Sequence, residues 1–499
     1  MKQTEPQSNN FEGYVLYGLA NNSSAPIGVI SENFRRKAIA NYIPKGLKEA
    51  VIEIEDRRFY QHIGFDFKAI IRAIIANINA RKFIQGGSTI TQQLARNLAY
   101  SSNRTLFTKF LEAIKAVQLE SNYSKHELLE LYFNNIYFGN NLYGIRSASL
   151  CYFNKEPFKL TNSEQIVLLT LLRGPNYYLA NTEKAESRFK HLNKLLVDKH
   201  IISVNRFRKN SKYRIKLRKD SLGVYDRSCV PFISRNINEA TKTILTTIDY
   251  NLQKEINCWV ASSKYPVTVL CIIKGSVVAS SSSYGSKHPF CFKTNVGSTL
   301  KPFLYSFLRQ NGFSNTSKIS AINNNALGWK VREVIPASDF MTLAQGLFLS
   351  NNNVFINACM QVGLDRVFNY LSTCLSLDRD QFLPSSILGA TKSGITLHQL
   401  ATSYYNFYKS KHDPYVLESY SILCKIAKER LGVENIYLKT GTTNKNSERF
   451  AILGDSDRVF AILRGENSKD DFTKEGSFLT SIKKFARKFV TPDRTYKWT

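Results

Sequence analysis

Acidic residues are scarce in this chain: 39 Asp and Glu stand against 68 Lys and Arg over 499 residues, a formal net charge of +29. A surplus of that size requires an anionic partner, which is nucleic acid, an anionic membrane surface or a phosphate-bearing substrate. Long apolar runs are absent. The opening Met1 to Asn10 is polar, and nothing approaches the roughly 18 to 20 apolar residues of a spanning helix. Neither an anchor nor a signal-peptide core is therefore expected in these residues. The eight cysteines (151, 229, 258, 271, 291, 359, 374 and 424) form no Cys-x-x-Cys and no Cys/His cluster at zinc spacing, so buried thiols are expected rather than a metal site. Internal repeats and long low-complexity tracts are missing too, and 43% hydrophobic with 12% aromatic residues excludes a disordered or fibrous chain. Two or three globular domains remain.

Texture divides the chain. From about 45 to 205 the period is helical, as in Phe67 to Ile75 and Glu127 to Tyr132. Arg206 to Lys219 then carries eight lysines and arginines, with only Phe207 and Tyr213 as aromatics, and reads as a solvated connector rather than a nucleic-acid site. Beyond about 245 short β-like runs appear. Val267–Ile273 and Ser276–Ala279 flank Lys274-Gly275 as a hairpin, and Ile436–Leu438, Phe450–Leu453 and Val459–Leu463 suggest three more strands. Helical patterns between them make this half an α+β domain with an antiparallel sheet. The run Phe478 to Val490 has an apolar stripe and a basic face, which suits a helix packed on that sheet better than one lying on a bilayer.

Two constellations carry chemistry. In the helical half, Glu55-Asp56-Arg57-Arg58-Phe59-Tyr60-Gln61-His62-Ile63-Gly64 precedes Gly86-Gly87-Ser88-Thr89-Ile90-Thr91-Gln92-Gln93, followed by Lys109-Phe110-Leu111-Glu112 and Glu130-Leu131-Tyr132-Phe133-Asn134. A run so dense in hydroxyls and amides is a poor core helix, so a polar site is expected there. In this order the segments, spanning about 40 to 200, resemble the glycosyltransferase domain of class A penicillin-binding proteins. The resemblance implies that Glu55 is the general base on the acceptor sugar hydroxyl and that Glu112 supports the opposite side. Inversion at a sugar carbon with a pyrophosphate leaving group needs a base on one face and cationic help on the other. Arg96 and Lys109 are candidates for that help, while Ser88, Thr91, Gln92, Gln93 and Asn134 offer hydrogen bonds to sugar and phosphate oxygens. Two positions depart from the family pattern: Thr108 stands where arginine precedes the lysine, and Leu172 replaces a proline near Arg173-Gly174-Pro175. They motivate the alternative of a penicillin-binding scaffold with weak or absent glycosyl transfer.

In the second half Ser-x-x-Lys is a weak motif, expected about once by chance in such a length. It occurs at Ser187, Ser298 and Ser481, and only Ser298-Thr299-Leu300-Lys301 is followed by Ser350-Asn351-Asn352 and Lys439-Thr440-Gly441. At the start of a helix, positions i and i+3 share a face, so Lys301 reaches the Ser298 hydroxyl as its base. Ser350 would relay protons, Asn352 would hold a substrate amide, and Lys439, Thr440, Gly441 and Thr442 would bind a peptide and its terminal carboxylate. This set resembles the transpeptidase domain of the same family.

The resemblance implies a multidomain fold: a mainly α, lysozyme-like glycosyltransferase domain at 41–205 and an α+β transpeptidase domain at 245–470 with a central antiparallel sheet flanked by helices. Residues 1–40 form an N-terminal segment without an anchor, 206–244 a basic linker and 471–499 a basic tail. The implied partners are lipid-linked peptidoglycan precursor, the growing glycan strand with its stem peptides, β-lactams as inhibitors and a membrane surface, with nucleic acid excluded. Transpeptidation needs no cofactor, and a divalent cation, Mg or Mn, is the one admitted for glycosyl transfer. The family works at the outer, periplasmic face of the bacterial cytoplasmic membrane. Such relatives carry a spanning helix before the first domain, so either the chain begins downstream of its native start or it holds the membrane through helix 67 to 78 and its basic surface.

Overall fold

The computed structural model describes residues 13–20, 23–31, 36–80, 87–99, 105–217, 223–225, 227–283, 288–322, 338–409, 412–443, 448–465 and 475–490. They fall into two compact units, one within Met1–Gly18, Ser24–Arg227 and Ser234–Thr246, the other within Leu19–Ser23, Ser228–Ile233 and Thr247–Thr499.

The first unit is mainly helical. Its helices are α1 (Lys45–Glu55), α2 (Phe67–Ala80), α3 (Ile90–Ala99), α4 (Leu106–Asn122), α5 (Lys125–Asn135), α6 (Ile145–Phe153), α7 (Asn162–Leu172), α8 (Pro175–Ala180), α9 (Thr182–Asp198) and α10 (Val204–Ser211). Helix α7 is apolar on every side because it runs through the core, with Ile166 to Leu169 all at or below 2% exposure. Its start is fixed by a capping box of Thr161 and Glu164.

Strands β1 (Val15–Ala20), β2 (Ser23–Ile30), β5 (Gly223–Tyr225), β6 (Ser234–Asn238) and β7 (Thr243–Asp249) form one sheet in the order β5-β2-β1-β7-β6; β3 (Arg36–Lys37) pairs with β4 (Leu142–Tyr143). Much of what the composition marks as N-terminal segment and basic linker is thus folded structure. Helix α10 docks through a buried polar chain: Ser163 Oγ donates to Asn210 Oδ1 at 2.7 Å, and Asn210 Nδ2 donates to Asn193 Oδ1 at 3.1 Å. Beyond it Tyr213, Ile215 and Leu217 pack against the core while Arg214 and Lys216 stay exposed. The charges hide a period of two. Arg218 and Lys219 lie outside the described residues.

The second unit contains α11 (Val230–Ile233), α12 (Tyr250–Ala261), β8 (Val267–Ile273), β9 (Ser276–Ser282), β10 (Lys293–Thr294), α13 (Lys301–Gln310), β11 (Ile319–Ser320), β12 (Phe340–Met341), α14 (Leu343–Leu349), α15 (Asn352–Val362), α16 (Leu364–Leu375), β13 (Ile395–Thr396), α17 (Leu397–Lys409), α18 (Pro414–Leu431), β14 (Tyr437–Thr442), β15 (Glu448–Gly454), β16 (Arg458–Gly465) and α19 (Glu475–Phe489). Its antiparallel sheet runs β14-β15-β16-β8-β9. The predicted hairpin is β8–β9, with Lys274 and Gly275 both at positive φ (49° and 82°), as a type I′ turn requires. Every residue of β8 and β15 is buried. Helices cover both faces, which is why these strands read as unbroken apolar runs instead of alternating.

Within the basic tail, Glu475–Phe489 form α19, with Phe485 against Trp259 at 4.9 Å and Phe460 at 5.7 Å. Cys258 and Cys291 are exposed, unlike Cys151, Cys229, Cys271 and Cys359, which are buried as expected. Placing Cys258 on α12 and Cys291 in a turn gives their thiols no core to enter.

Candidate active sites

In the first unit Glu55 ends α1, and the chain turns sharply after it. Asp56 is buried, takes two contacts of 3.0 Å from His62 Nε2 and accepts a hydrogen bond from Ile90 N–H at 3.0 Å, at the start of α3. Asp56 and His62 therefore tie the first motif to the second and leave Glu55 as the acid at the surface of this junction. Gly64 closes the loop at φ +90°; a Cβ there would lie 2.9 Å from the backbone of Ala116 and Val117, so α4 can approach only glycine.

Gln93 Nε2 donates to Glu55 Oε2 at 3.0 Å, and the buried Tyr132 hydroxyl donates to Gln93 Oε1 at 3.1 Å. Burial first, and then the Glu55 charge, raise the Tyr132 pKa well above that of a free phenol, so it remains a donor. Tyr132 is a site residue that the motifs alone do not single out. Arg188 on α9 lies over the Tyr178 ring at 5.8 Å; burial lowers its pKa, and opposing that are Tyr178 and Glu55. A charged, SxxK-containing helix gave no signal for it. On the other side, Arg96 Nε stands 4.0 Å from Glu112 Oε1, and Lys109 is exposed one turn before Glu112 on α4. Ser88 is half-buried in the turn ahead of α3.

Several expected ligands also bond within the fold. Thr91 Oγ1 is buried and donates to Glu120 at 2.6 Å, and Gln92 Oε1 accepts from Thr89 N–H at 3.0 Å as a cap of α3. Asn134 uses both ends of its amide on Ala40, accepting from its N–H at 2.8 Å and donating to its carbonyl at 3.3 Å. Asn134→Ala should then cost about 1 to 3 kcal/mol of stability, because a backbone pair loses its partner. Urea unfolding of the variant checks this; an unchanged midpoint would return Asn134 to the list of ligands. Thr108, the departure from the family pattern, is the third residue of α4 and completes a capping box with Thr105. Leu172 packs against the core. Among the described residues no three His, Cys, Asp or Glu side chains converge as metal ligands.

In the second unit Ser298 lies in a 3₁₀ turn, Gly297–Leu300, that runs directly into α13. This turn is pressed onto the edge strand β14. A Cβ on Gly297 (φ +57°) would fall 2.4 Å from the Thr442 carbonyl, and one on Gly441 would fall 2.6 Å from the Val296 carbonyl. The glycines of both motifs exist for this approach. Lys301 is fully buried at the first position of α13; its Nζ donates to Asn352 Oδ1 at 2.7 Å and to the Ser350 carbonyl, and stands 3.5 Å from Ser350 Oγ. Lys439 Nζ donates to Ser350 Oγ at 2.9 Å and to the Thr440 carbonyl at 2.7 Å. Ser350 is held at φ 57°, ψ 34°, a left-handed conformation, with its hydroxyl between the two lysine Nζ atoms.

All three sequence motifs meet here, with one refinement. Asn352 uses its carbonyl oxygen on Lys301 in addition to any amide contact with substrate. Burial, then the Lys301 charge and then Arg430 push the Lys439 pKa well below that of a free lysine. Between that lowered value and the ordinary value of about 10.4 the unfolded chain binds more protons, so folding stability rises with pH across this window. Wild type should therefore gain stability relative to Lys439→Met as pH rises, as read from denaturant midpoints. A flat or falling difference would mean that Lys439 is solvated. Thr440, Gly441 and Thr442 lie on β14, whose outer side has no neighbouring strand among the described residues, which suits an added peptide strand.

These features define a helical unit with a carboxylate-and-amide cluster and an α+β unit with a serine between two lysines. A family model described as Transglycosylase matches residues 23–197. Penicillin-binding protein 1F of Bacillus subtilis (strain 168) is 45% identical over 157 residues, 32% of this chain and 22% of that protein. Penicillin-binding protein 1A of Neisseria cinerea is 43% identical over 178 residues, 35% of this chain and 22% of that protein. Penicillin-binding protein 2D of Bacillus subtilis (strain 168) is 30% identical over 378 residues, 68% of this chain and 55% of that protein, so the likeness extends beyond the helical unit. The chain thus spans about a fifth of the first two relatives' length and about half of the third's. The fold is that of penicillin-binding protein 1A from Haemophilus influenzae: TM-score 0.50 and 14% identity, covering 98% of this chain and 94% of that one. The chain belongs to the class A penicillin-binding proteins.

Proposed function

We propose that the chain is a peptidoglycan synthase with two activities. The first unit polymerises lipid-linked disaccharide-peptide into glycan strands. Glu55 takes the proton of the acceptor hydroxyl as that oxygen attacks the sugar carbon and the pyrophosphate lipid departs. Arg96 and Lys109 offset the charge that develops on the phosphates, and Glu112 orients Arg96. The second unit cross-links stem peptides. Ser298 Oγ attacks the peptide carbonyl and passes its proton into the Lys301–Ser350–Lys439 set, the terminal D-alanine leaves as the amine, and a second stem peptide's amine displaces the serine. A β-lactam acylates the same oxygen.

The observation that carries this reading is the meeting of two buried lysines on the Ser350 hydroxyl beside the Ser298 turn. The work belongs at the outer, periplasmic face of the cytoplasmic membrane. No described helix is long and apolar enough to cross a membrane, yet Phe67, Ile71, Ile75 and Ile78 on α2 are exposed, with Lys68 and Arg72 beside them, and Phe107 and Phe110 are exposed on α4. An apolar stripe edged by cations suits an anionic bilayer surface and the lipid tail of the precursor better than nucleic acid.

Purified full chain given lipid-linked precursor should make polymer, and should cross-link it unless penicillin is present. A second reading, a penicillin-binding scaffold with weak glycosyl transfer, follows from Thr108 and Leu172. It predicts penicillin labelling without polymer.

A further inference from the structure

The tight turn that carries Ser298 has a gap in its own backbone bonding. Lys301 N–H bonds back to the Ser298 carbonyl, three residues earlier. The next such bond would run from residue 302 to the Thr299 carbonyl, but residue 302 is proline and has no N–H. At that carbonyl the structure places a side chain from far along the chain: the Tyr404 hydroxyl, on α17, donates to Thr299 O at 2.5 Å.

Tyr404 is fully buried, and its ring is fixed from two directions. It meets Phe303 of α13 edge-on at 5.1 Å and stacks on Tyr437 of β14 at 6.0 Å with 25° between the planes. Tyr437 stands two residues before Lys439, on the same face of the strand. Tyr404 therefore touches the helix that starts at Lys301, the strand that carries Lys439 and the backbone of the residue after the nucleophile. Burial raises its pKa well above the ordinary phenol value, which keeps it a donor.

We infer that Tyr404 is a positioning residue for acyl transfer: its hydroxyl supplies the hydrogen bond that Pro302 withholds, and so sets the direction of Ser298 relative to Lys301 and Lys439. This rests on the reading of Ser298 as the acylated serine. Phe303 and Tyr437 hold the ring whether or not the hydroxyl is there, so Tyr404→Phe removes the bond and keeps the packing.

Stopped-flow acylation of the full chain by a fluorescent penicillin separates initial binding from the covalent step. In Tyr404→Phe the rate constant of the covalent step should fall about tenfold, the scale of one buried hydrogen bond, with initial binding unchanged. Adding Pro302→Ala returns an N–H three residues on from Thr299 and should recover most of the loss. Titrating active sites with the same penicillin counts only folded molecules, so a variant that folds poorly still reports its rate. A covalent step within twofold of wild type in Tyr404→Phe overturns the inference, as does a double variant no faster than the single one. A wild-type chain that takes no label at Ser298 would instead overturn the reading on which the inference rests.

Discussion

Ser298→Ala is expected to lose covalent labelling by fluorescent penicillin altogether, a fall of more than about a thousandfold in acylation rate. No other hydroxyl among the described residues is placed to replace it. Ser350 Oγ lies between the lysines but is held there by Lys439 at 2.9 Å and sits at the end of α14, not on the 3₁₀ turn against β14. Ser187 and Ser481, the other Ser-x-x-Lys serines, lie on α9 and α19, apart from the three motifs that converge. Gel fluorescence with peptide mapping decides it. Label remaining in Ser298→Ala, or mapping to Ser350, would mean that the wrong hydroxyl has been assigned.

Glu55→Gln is expected to abolish glycan polymer from lipid-linked precursor, by about a hundredfold to ten-thousandfold, the usual range for removing a general base. The substitution keeps the side chain's shape, and an amide oxygen can still accept from Gln93 Nε2, now at 3.0 Å. What is lost is the ability to take a proton. Asp56 does not stand in, because it is buried against His62 and the start of α3. Polymerisation followed by gel electrophoresis of labelled product reads the effect. A Glu55→Gln variant that polymerises at the wild-type rate removes Glu55 as the base. Absence of polymer from the unmutated chain favours the scaffold reading and returns attention to Thr108.

The catalytic motifs were legible because the chemistry demands rare residue combinations at short spacing. Ser298 and Lys301 share one face of one helix start, and Gly86 to Gln93 is too polar for a core helix. The strands β8, β15 and β16 were legible from their apolar stretches, since they are buried on both faces, and β14 from Ile436 to Leu438. Long-range partners left no such trace. Arg188 and Tyr404 are an arginine in a charged helix and one tyrosine among many; nothing in their local sequence distinguishes them. Charge misled at 206–217, where lysines and arginines between Tyr213, Ile215 and Leu217 conceal a packed edge.

By itself the sequence determined the family and the two kinds of unit, and it singled out the residues proposed as nucleophile and base, because each depends on residue types at fixed short intervals. Only the tertiary structure decided how those residues are used. Asn134 and Thr91 bond to backbone and carboxylate groups that burial would otherwise leave unpaired, and Gln92 caps the start of its own helix. Lys301 and Lys439, 0% and 2% exposed and far apart in the chain, came together on one serine hydroxyl. That meeting depends on two glycines letting a turn and a strand touch, and on bonds that close across long stretches of chain, which no local pattern encodes.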